Sequence, residues 1–175
     1  DTDPFVTSRT GDGITHEIDT TTKFEGSGSV YMTANDLSLM ELDWTNITED
    51  RKVILWLRKP SGDTGATNIN LGDGGGTFTD GAGPYMNLNN DSSLNAFNGT
   101  TVITIANAFQ LDTWQRWEIV IHLGIKTWDL YIDGEQKVSN YSFYDTSITV
   151  IDALEMGNPA STTRDVVAHL SLIHI

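Results

Sequence analysis

Short runs in which apolar and polar side chains alternate recur along the whole chain. A period of two is typical of a β-strand that buries one face, because successive side chains point to opposite sides. No window of three turns carries apolar residues at helical spacing without Gly, Pro or a β-branched run. The runs have the spacing of an all-β sandwich and predict strands at 13–20, 29–34, 38–44, 52–59, 67–71, 85–89, 94–98, 102–106, 117–123, 127–132, 148–156 and 166–175.

The phase of the alternation separates predicted core side chains from outward ones. In "WEIVIHL" (117–123) and "TWDLYID" (127–133), the large apolar residues fall in one phase, and the other phase therefore faces solvent or a ligand. The predicted core residues are Trp117, Ile119, Ile121, Leu123, Trp128, Leu130 and Ile132. The outward residues are Glu118, Val120, His122, Thr127, Asp129 and Tyr131.

Two further strands direct aromatic side chains outward. "KVILWLRK" (52–59) places Trp56 and Arg58 opposite its aliphatic residues, and "PYMNLNND" (84–91) does the same with Tyr85 and Asn87. An exposed flat ring beside hydrogen-bonding groups is what a sugar-binding face requires. The alternative is that both faces of the first strand are covered, which would make Trp56 a packed core residue.

Composition narrows the function classes. The 175 residues are predicted to form one domain, 1–175, and a formal charge of -14 argues against nucleic acid and anionic membranes as partners. The absence of Cys excludes disulfides, thiolate zinc sites and Cys nucleophiles. No segment approaches the roughly 20 apolar residues of a transmembrane helix. Because the sequence begins at Asp1, we expect a mature or excised piece of a longer protein.

Several segments resemble a known family. "DTWQRWEIVIHLGIKTWDLYIDGEQKVSNYSF" (112–143), followed by "ITVIDALEMGNP", resembles the C-terminal half of concanavalin A-like, laminin G-type jelly rolls. "KFEGSGSVYMTA" (23–34) and "VILWLRKP" (53–60) resemble earlier strands of the same fold. The resemblance implies an all-β, two-sheet antiparallel β-sandwich with a concave face that often binds oligosaccharides.

Many members of this family are noncatalytic carbohydrate-binding modules of secreted polysaccharide-degrading enzymes. We therefore expect a secreted, monomeric module, tethered to a catalytic domain, that binds a polysaccharide or oligosaccharide on the concave sheet. The alternatives are an adhesion or structural jelly roll that binds a protein, and a small lyase or glycoside hydrolase. The expected ligand-binding residues are Trp56, Tyr85 and Tyr131 for stacking, and Arg58, Asn87, Glu118, His122 and Asp129 for polar contacts.

The catalytic signatures of the fold are incomplete in this chain. In "HEIDTTTKFE" (16–25), Glu17 and Asp19 have the spacing of a glycosidase signature, but Thr follows where a third carboxylate is needed and Glu25 lies too far along. A lyase-type Gln-x-His pair is absent before His122. The sequence therefore predicts no catalytic residues, and the only candidate bases are isolated histidines, namely His16, His122, His169 and His174.

The resemblance also implies a structural calcium ion. Calcium takes six to eight oxygen ligands, and Asp3, Asp12 and Asp165 are the candidate carboxylates near the presumed sheet edge. Relatives commonly carry an acidic ligand on the final strand, where this chain has Ala168 and His169. We expect no cofactor other than calcium.

Overall fold

The computed structural model describes residues 6–10, 15–19, 21, 29–33, 38–62, 65–73, 81–158 and 168–174. These ranges consist of strands joined by turns and loops. The strands are β1 Val6–Thr10, β2 Thr15–Asp19, β3 Ser29–Thr33, β4 Ser38–Ile47, β5 Arg51–Arg58, β6 Thr67–Gly72, β7 Ala82–Leu88, β8 Leu94–Phe97, β9 Val102–Ile105, β10 Gln115–His122, β11 Thr127–Ile132, β12 Glu135–Ser142, β13 Ile151–Asn158 and β14 Ala168–His174. Within the described ranges, no helix has the length and apolarity to cross a lipid bilayer.

The strands form two seven-stranded sheets whose neighbours are all antiparallel. The first sheet has the order β1-β4-β13-β6-β7-β8-β9, and the second has the order β12-β11-β10-β5-β14-β3-β2. Strands that are far apart in the chain, such as β4 and β13, are therefore neighbours in space. This architecture confirms the all-β, two-sheet antiparallel sandwich.

One apolar core lies between the two sheets. Both sheets contribute to it, with Leu55 and Trp117 from the second sheet and Leu71 and Met86 from the first, each at most 2% exposed. Burial strictly alternates along β10 and β11, as the sequence pattern predicts. The core predictions for these two strands are therefore confirmed. Because the inner phase of each strand faces the core, the outer phase of each sheet is left for function.

The structure adds strands that were not predicted and lengthens others. β12 was not predicted, because it is the edge strand of the second sheet and Val138 is its only buried residue. β7 begins at Ala82, three residues before the predicted strand at 85–89, within the glycine-rich stretch 71–84, of which residues 74–80 lie outside the described ranges. Gly83 suits this close pairing, since a Cβ there would lie 2.8 Å from the Leu71 carbonyl oxygen.

Candidate functional site

The predicted ligand-binding residues lie on two different surfaces. Tyr85 and Asn87 belong to β7 in the first sheet. The other six, from β5, β10 and β11, lie on the outer face of the second sheet: Trp56, Arg58, Glu118, His122, Asp129 and Tyr131. The expectation of one shared face is therefore corrected. Alternation gives the phase of each strand relative to the core, but it does not say to which sheet the strand belongs.

The outer face of the first sheet is lined by amides and aromatic rings. We call it the amide face and define it by the outward residues of β6, β7, β8 and β13. It consists of Asn68, Asn70, Tyr85, Asn87, Asn95, Phe97 and Glu155. Backbone pairing sets these residues side by side, with Asn70 opposite Glu155 on one flank and Tyr85 on the other. Asn68 and Asn70 are at most 1% exposed, whereas Asn87 and Asn95 are half-buried and accessible.

Hydrogen bonds satisfy only part of each amide on this face. The Nδ2 group of Asn68 donates to the Tyr85 hydroxyl at 2.6 Å, and that of Asn70 donates to Glu155 Oε2 at 2.7 Å. The Oδ1 atoms of Asn68, Asn70 and Asn87 are buried and accept no hydrogen bond within the described part of the chain. A buried acceptor without a donor costs about 1–3 kcal/mol, so three on one face require an explanation.

Three aromatic rings flank these amides. Tyr85 stacks on Phe97 with ring centroids 4.9 Å apart and meets the edge of Tyr144 at 5.3 Å. Tyr144 is held there by its backbone N–H, which donates to the Gly83 carbonyl oxygen at 3.0 Å. Burial, together with the neighbouring Tyr144 hydroxyl, raises the pKa of Tyr85 to about 12, although the Asn68 hydrogen bond opposes the shift. Tyr85 is therefore a neutral phenol at physiological pH.

The outer face of the second sheet is charged instead. We call it the charged face and define it by the outward residues of β5, β10 and β11. Glu118 lies between two cations, accepting a hydrogen bond from Lys52 Nζ at 2.8 Å and another from Arg116. The Lys52 hydrogen bond is the main cause that lowers the pKa of Glu118. Arg58 is paired in the same way with Asp112 at 3.2 Å. The cations of this face are thus largely neutralised by adjacent carboxylates.

A histidine and an aspartate form the polar end of the charged face. His122 Nε2 lies 3.0 Å from Asp129 Oδ2, and Nδ1 lies 3.7 Å from Asp50 Oδ2. The hydrogen bond with Asp129 raises the pKa of His122 against the opposing effect of burial, and Asp50 adds to the rise. Burial raises the pKa of Asp129, but the hydrogen bonds from His122 and the Asn140 N–H outweigh it, so the net pKa is lowered.

Two aromatic side chains lie on the charged face, and neither is fully buried. Trp56 pairs with Arg116, and Tyr131 pairs with Glu118 two residues further along β10. Strand spacing and rise place their Cα atoms about 12 Å apart. The reading of Trp56 as a fully packed core residue does not hold, since its side chain is half-buried. Stacking of these two rings on a sugar stays a prediction.

Sequence reasoning missed most of the amide face. Asn68, Asn70, Asn95, Phe97, Tyr144 and Glu155 were not predicted site residues. The signal for two of them was present in "TNINL", where Asn occupies the outward phase of a predicted strand twice. Glu155 has a similar signal, because it is a lone charge in the apolar run "ALEMG". The pairing of β13 with β6, which brings these residues together, has no local sequence signal.

The described residues contain no group of three or more His, Cys, Asp or Glu side chains that could hold a metal ion. The predicted calcium ligands Asp3, Asp12 and Asp165 lie outside the described ranges, and so does Glu25. The calcium site therefore stays a prediction. Of the remaining candidate catalytic residues, Glu17, Asp19 and His16 are in β2, and His169 and His174 are in β14. All of these strands belong to the second sheet.

Comparison with solved structures defines the class of fold. The chain has a concanavalin A-like jelly-roll fold. A sialidase matches 85% of the chain over 15% of its own length, with a TM-score of 0.67 and 16% identity. A carbohydrate-binding module, CBM66, from Bacillus subtilis matches 92% of the chain over 93% of its own length, with a TM-score of 0.56 and 11% identity.

An endo-β-1,4-glucuronan lyase from the fungus Trichoderma reesei has the same fold. It matches 93% of the chain over 86% of its own length, with a TM-score of 0.59 and 13% identity. Neither a protein-family model nor a curated protein sequence matches the chain. At these identities the likeness extends to the fold alone, and the fold hosts both binding modules and enzymes.

Proposed function

We propose that this domain is a noncatalytic carbohydrate-binding module and that the amide face is its ligand-binding surface. The observation that carries the proposal is the set of buried amide oxygens, on Asn68, Asn70 and Asn87, that accept no hydrogen bond within the described part of the chain. Unsatisfied buried acceptors are costly, and native proteins concentrate such costs at functional sites. Sugar hydroxyls, or water molecules that bridge a sugar to these oxygens, are donors that would satisfy them.

The aromatic rings beside the amides complete the chemistry of a sugar site. Pyranose rings present C–H groups that pack against an aromatic face, and their hydroxyls require convergent polar partners. Phe97 and Tyr144 are half-buried and pack against Tyr85, and the accessible amides Asn87 and Asn95 lie opposite each other two residues along β7 and β8. The buried amides would then form the floor of the site, and these four half-buried side chains its rim.

The charged face is the weaker candidate. Its main polar groups are already engaged with each other, through the Lys52–Glu118, Arg58–Asp112 and His122–Asp129 pairs. A ligand there would have to replace existing ion pairs, which lowers the net gain. The amide face instead offers acceptors that have no partner to lose.

CBM66 and the glucuronan lyase both share the fold over most of their length, so the proposed binding role rests on the amide face. We extend the proposal to a secreted protein in which this domain is attached to a carbohydrate-active enzyme. A structural calcium ion held by Asp3, Asp12 and Asp165 also stays part of the proposal. A melting temperature that falls on addition of EDTA would support calcium, and an unchanged one would count against it.

Affinity-gel electrophoresis against a panel of soluble polysaccharides tests the proposal. We expect retardation by at least one polysaccharide. Asn87→Ala and Phe97→Ala should each weaken it about tenfold, the effect of roughly 1.4 kcal/mol of lost contact. Trp56→Ala and Tyr131→Ala on the charged face are the matched controls and should leave retardation within about twofold. If retardation is lost only in the charged-face variants, the binding site lies on that face instead. If no glycan retards the domain, the proposed function is wrong.

A further inference from the structure

Most cations lie on the second sheet. Among the side chains that the structure describes, every Lys and Arg lies on a strand of that sheet or in a segment adjoining one: Arg51, Lys52, Arg58, Lys59, Arg116, Lys126 and Lys137. Arg9 is on β1 of the first sheet, which β4 separates from β13 and the amide face. The strands that hold His16, His122, His169 and His174 belong to the second sheet as well. The described part of the amide face therefore offers a ligand no cationic side chain.

The polar atoms of the amide face favour ligands that donate hydrogen bonds. The atoms of Asn68, Asn70 and Asn87 that lack a partner in the described part of the chain are Oδ1 acceptors, and Glu155 adds a carboxyl group that is 1% exposed. A ligand carboxylate brings only acceptors and a negative charge, so it could bond only the amide N–H groups, would leave these oxygens unsatisfied and would lie near Glu155. Repulsion between like charges is strong where water is excluded. A neutral sugar brings hydroxyl donors and no charge.

We infer that the amide face selects neutral glycans and discriminates against glycans that carry carboxylates, such as polyuronates and sialylated sugars. The inference rests on the proposed function, because it names the ligand class of the same face. The formal charge of -14 acts in the same direction at long range. The fold itself does not decide the matter, since a lyase whose name specifies glucuronan shares it.

A matched pair of polymers tests the ligand class. The polysaccharide that retards the domain most strongly is compared with the same polymer after its primary hydroxyl groups have been oxidised to carboxylates, or after its carboxyl groups have been reduced if it is acidic. Isothermal titration calorimetry at low salt should give at least tenfold weaker binding for the acidic member. Equal or tighter binding of the acidic member overturns the inference but leaves the proposed function standing. Absence of binding by every polysaccharide overturns both.

A pair of added charges tests whether the amide face itself is responsible. Thr104 is exposed on β9 and donates to Asn95 Oδ1 at 2.8 Å, so Thr104→Lys places a cation at the rim of the face. Gln136→Lys makes the same charge change on β12 of the second sheet. The preference is the Kd for the acidic polymer divided by the Kd for the neutral one. We expect Thr104→Lys to lower this ratio at least threefold and Gln136→Lys to leave it unchanged. An equal decrease in both variants would assign the discrimination to net charge and overturn the role of the face.

Discussion

At the scale of single residues, two amides of the amide face differ in whether the protein satisfies their oxygen atoms. The Asn87 Oδ1 atom is buried without a donor, while Asn95, its neighbour across the strand pair, has the Thr104 hydroxyl as a partner. The two side chains are chemically identical and similarly exposed. They differ in whether the protein itself supplies a donor to the amide oxygen. Comparing substitutions at the two positions therefore distinguishes the cost of an acceptor without a donor from the general effect of an amide in a strand.

We expect Asn87→Leu to stabilise the fold and Asn95→Leu not to. Removing an unsatisfied buried acceptor relieves a penalty of about 1 kcal/mol, and Leu is compatible with a strand facing aromatic neighbours. Asn95→Leu instead breaks an existing hydrogen bond. Urea denaturation measures both free energies of unfolding, and glycan binding should fall in Asn87→Leu. A loss of stability in Asn87→Leu would mean that its amide is satisfied in solution and carries no unmet acceptor.

A second residue-scale prediction concerns pH. The hydrogen bond to Asp129 raises the pKa of His122, so the folded state favours the protonated ring. Its contribution to stability is then fully present below the unfolded value of about 6.5 and is lost as the pH rises through the raised pKa. The quantity to measure is the excess free energy of unfolding of wild type over His122→Gln. We expect this excess to be larger at pH 5.5 than at pH 8.5, by no more than about 1 kcal/mol because the pair is partly exposed.

The same measurement in an Asp129→Asn background provides the control. Without the Asp129 carboxylate, the main cause of the raised pKa is gone, and the pH-dependent excess should largely disappear. Asp50 lies 3.7 Å from Nδ1 and would sustain only a small remainder. An excess that persists undiminished in this background would show that Asp129 is not the partner that matters.

At the scale of elements, the turn between β11 and β12 is set by backbone conformation. Asp133 and Gly134 have φ values of 50° and 84°, typical of the two-residue type I′ turn that matches the twist of a hairpin. The Asp133 carboxylate fixes the turn to the start of β10, accepting from the Arg116 N–H and from Gln115 Nε2, both at 2.8 Å. The "DG" dipeptide therefore stabilises a hairpin of the second sheet, whereas the amide face belongs to the first sheet.

Gly134→Ala should destabilise the domain by about 1 kcal/mol, because a Cβ disfavours the left-handed conformation. Gly124→Ala is a matched control. A Cβ at either position has open space around it, and only Gly134 has a positive φ. The difference between the two midpoints of urea denaturation thus reports backbone strain alone. Equal effects would show that the turn tolerates an L-residue and that φ is not the constraint.

Comparison of the predicted and observed strands shows which features of the fold the sequence predicts. Strict alternation in β5, β10 and β11 was sufficient to predict their bounds within two residues and the face that each buries. The same logic could not detect β1, whose sequence "VTSRT" has no apolar alternation. It also could not join Asn70 to Glu155, which are 85 residues apart in the chain and meet only because β13 pairs with β6. Local pattern encodes burial, whereas sheet order depends on long-range pairing.

At the scale of the whole molecule, the two outer faces have different chemistry on one scaffold. The charged face is a network of mutually paired ions, which favours solubility and contributes little net energy. Among its described residues the amide face is uncharged except for Glu155, and the Oδ1 atoms of Asn68, Asn70 and Asn87 accept no hydrogen bond there. The neutral ligand that we propose for the amide face fits this division.

The whole-molecule view leads to a prediction about catalysis. Cleavage of a polysaccharide by elimination needs a base whose pKa lies near the working pH. On the described amide face, Tyr85 has a pKa of about 12 and no histidine is present, so neither an ionised Tyr85 nor an imidazole serves as a base there at neutral pH. We expect the domain to bind its polysaccharide without shortening it, as measured by the ultraviolet absorbance of unsaturated ends and by reducing-end assays after prolonged incubation.

The substitution Tyr85→Phe distinguishes a domain that only binds from one that also cleaves its polysaccharide. The substitution keeps the ring that stacks on Phe97 and removes only the hydroxyl, which accepts a hydrogen bond from Asn68. If the domain only binds, Tyr85→Phe should lower affinity by less than about tenfold, the cost of one hydrogen bond, and both proteins should release no product. Product that forms with wild type and disappears in Tyr85→Phe, while affinity is retained, would instead make Tyr85 a catalytic residue. That result would place the chain with the enzymes that share its fold.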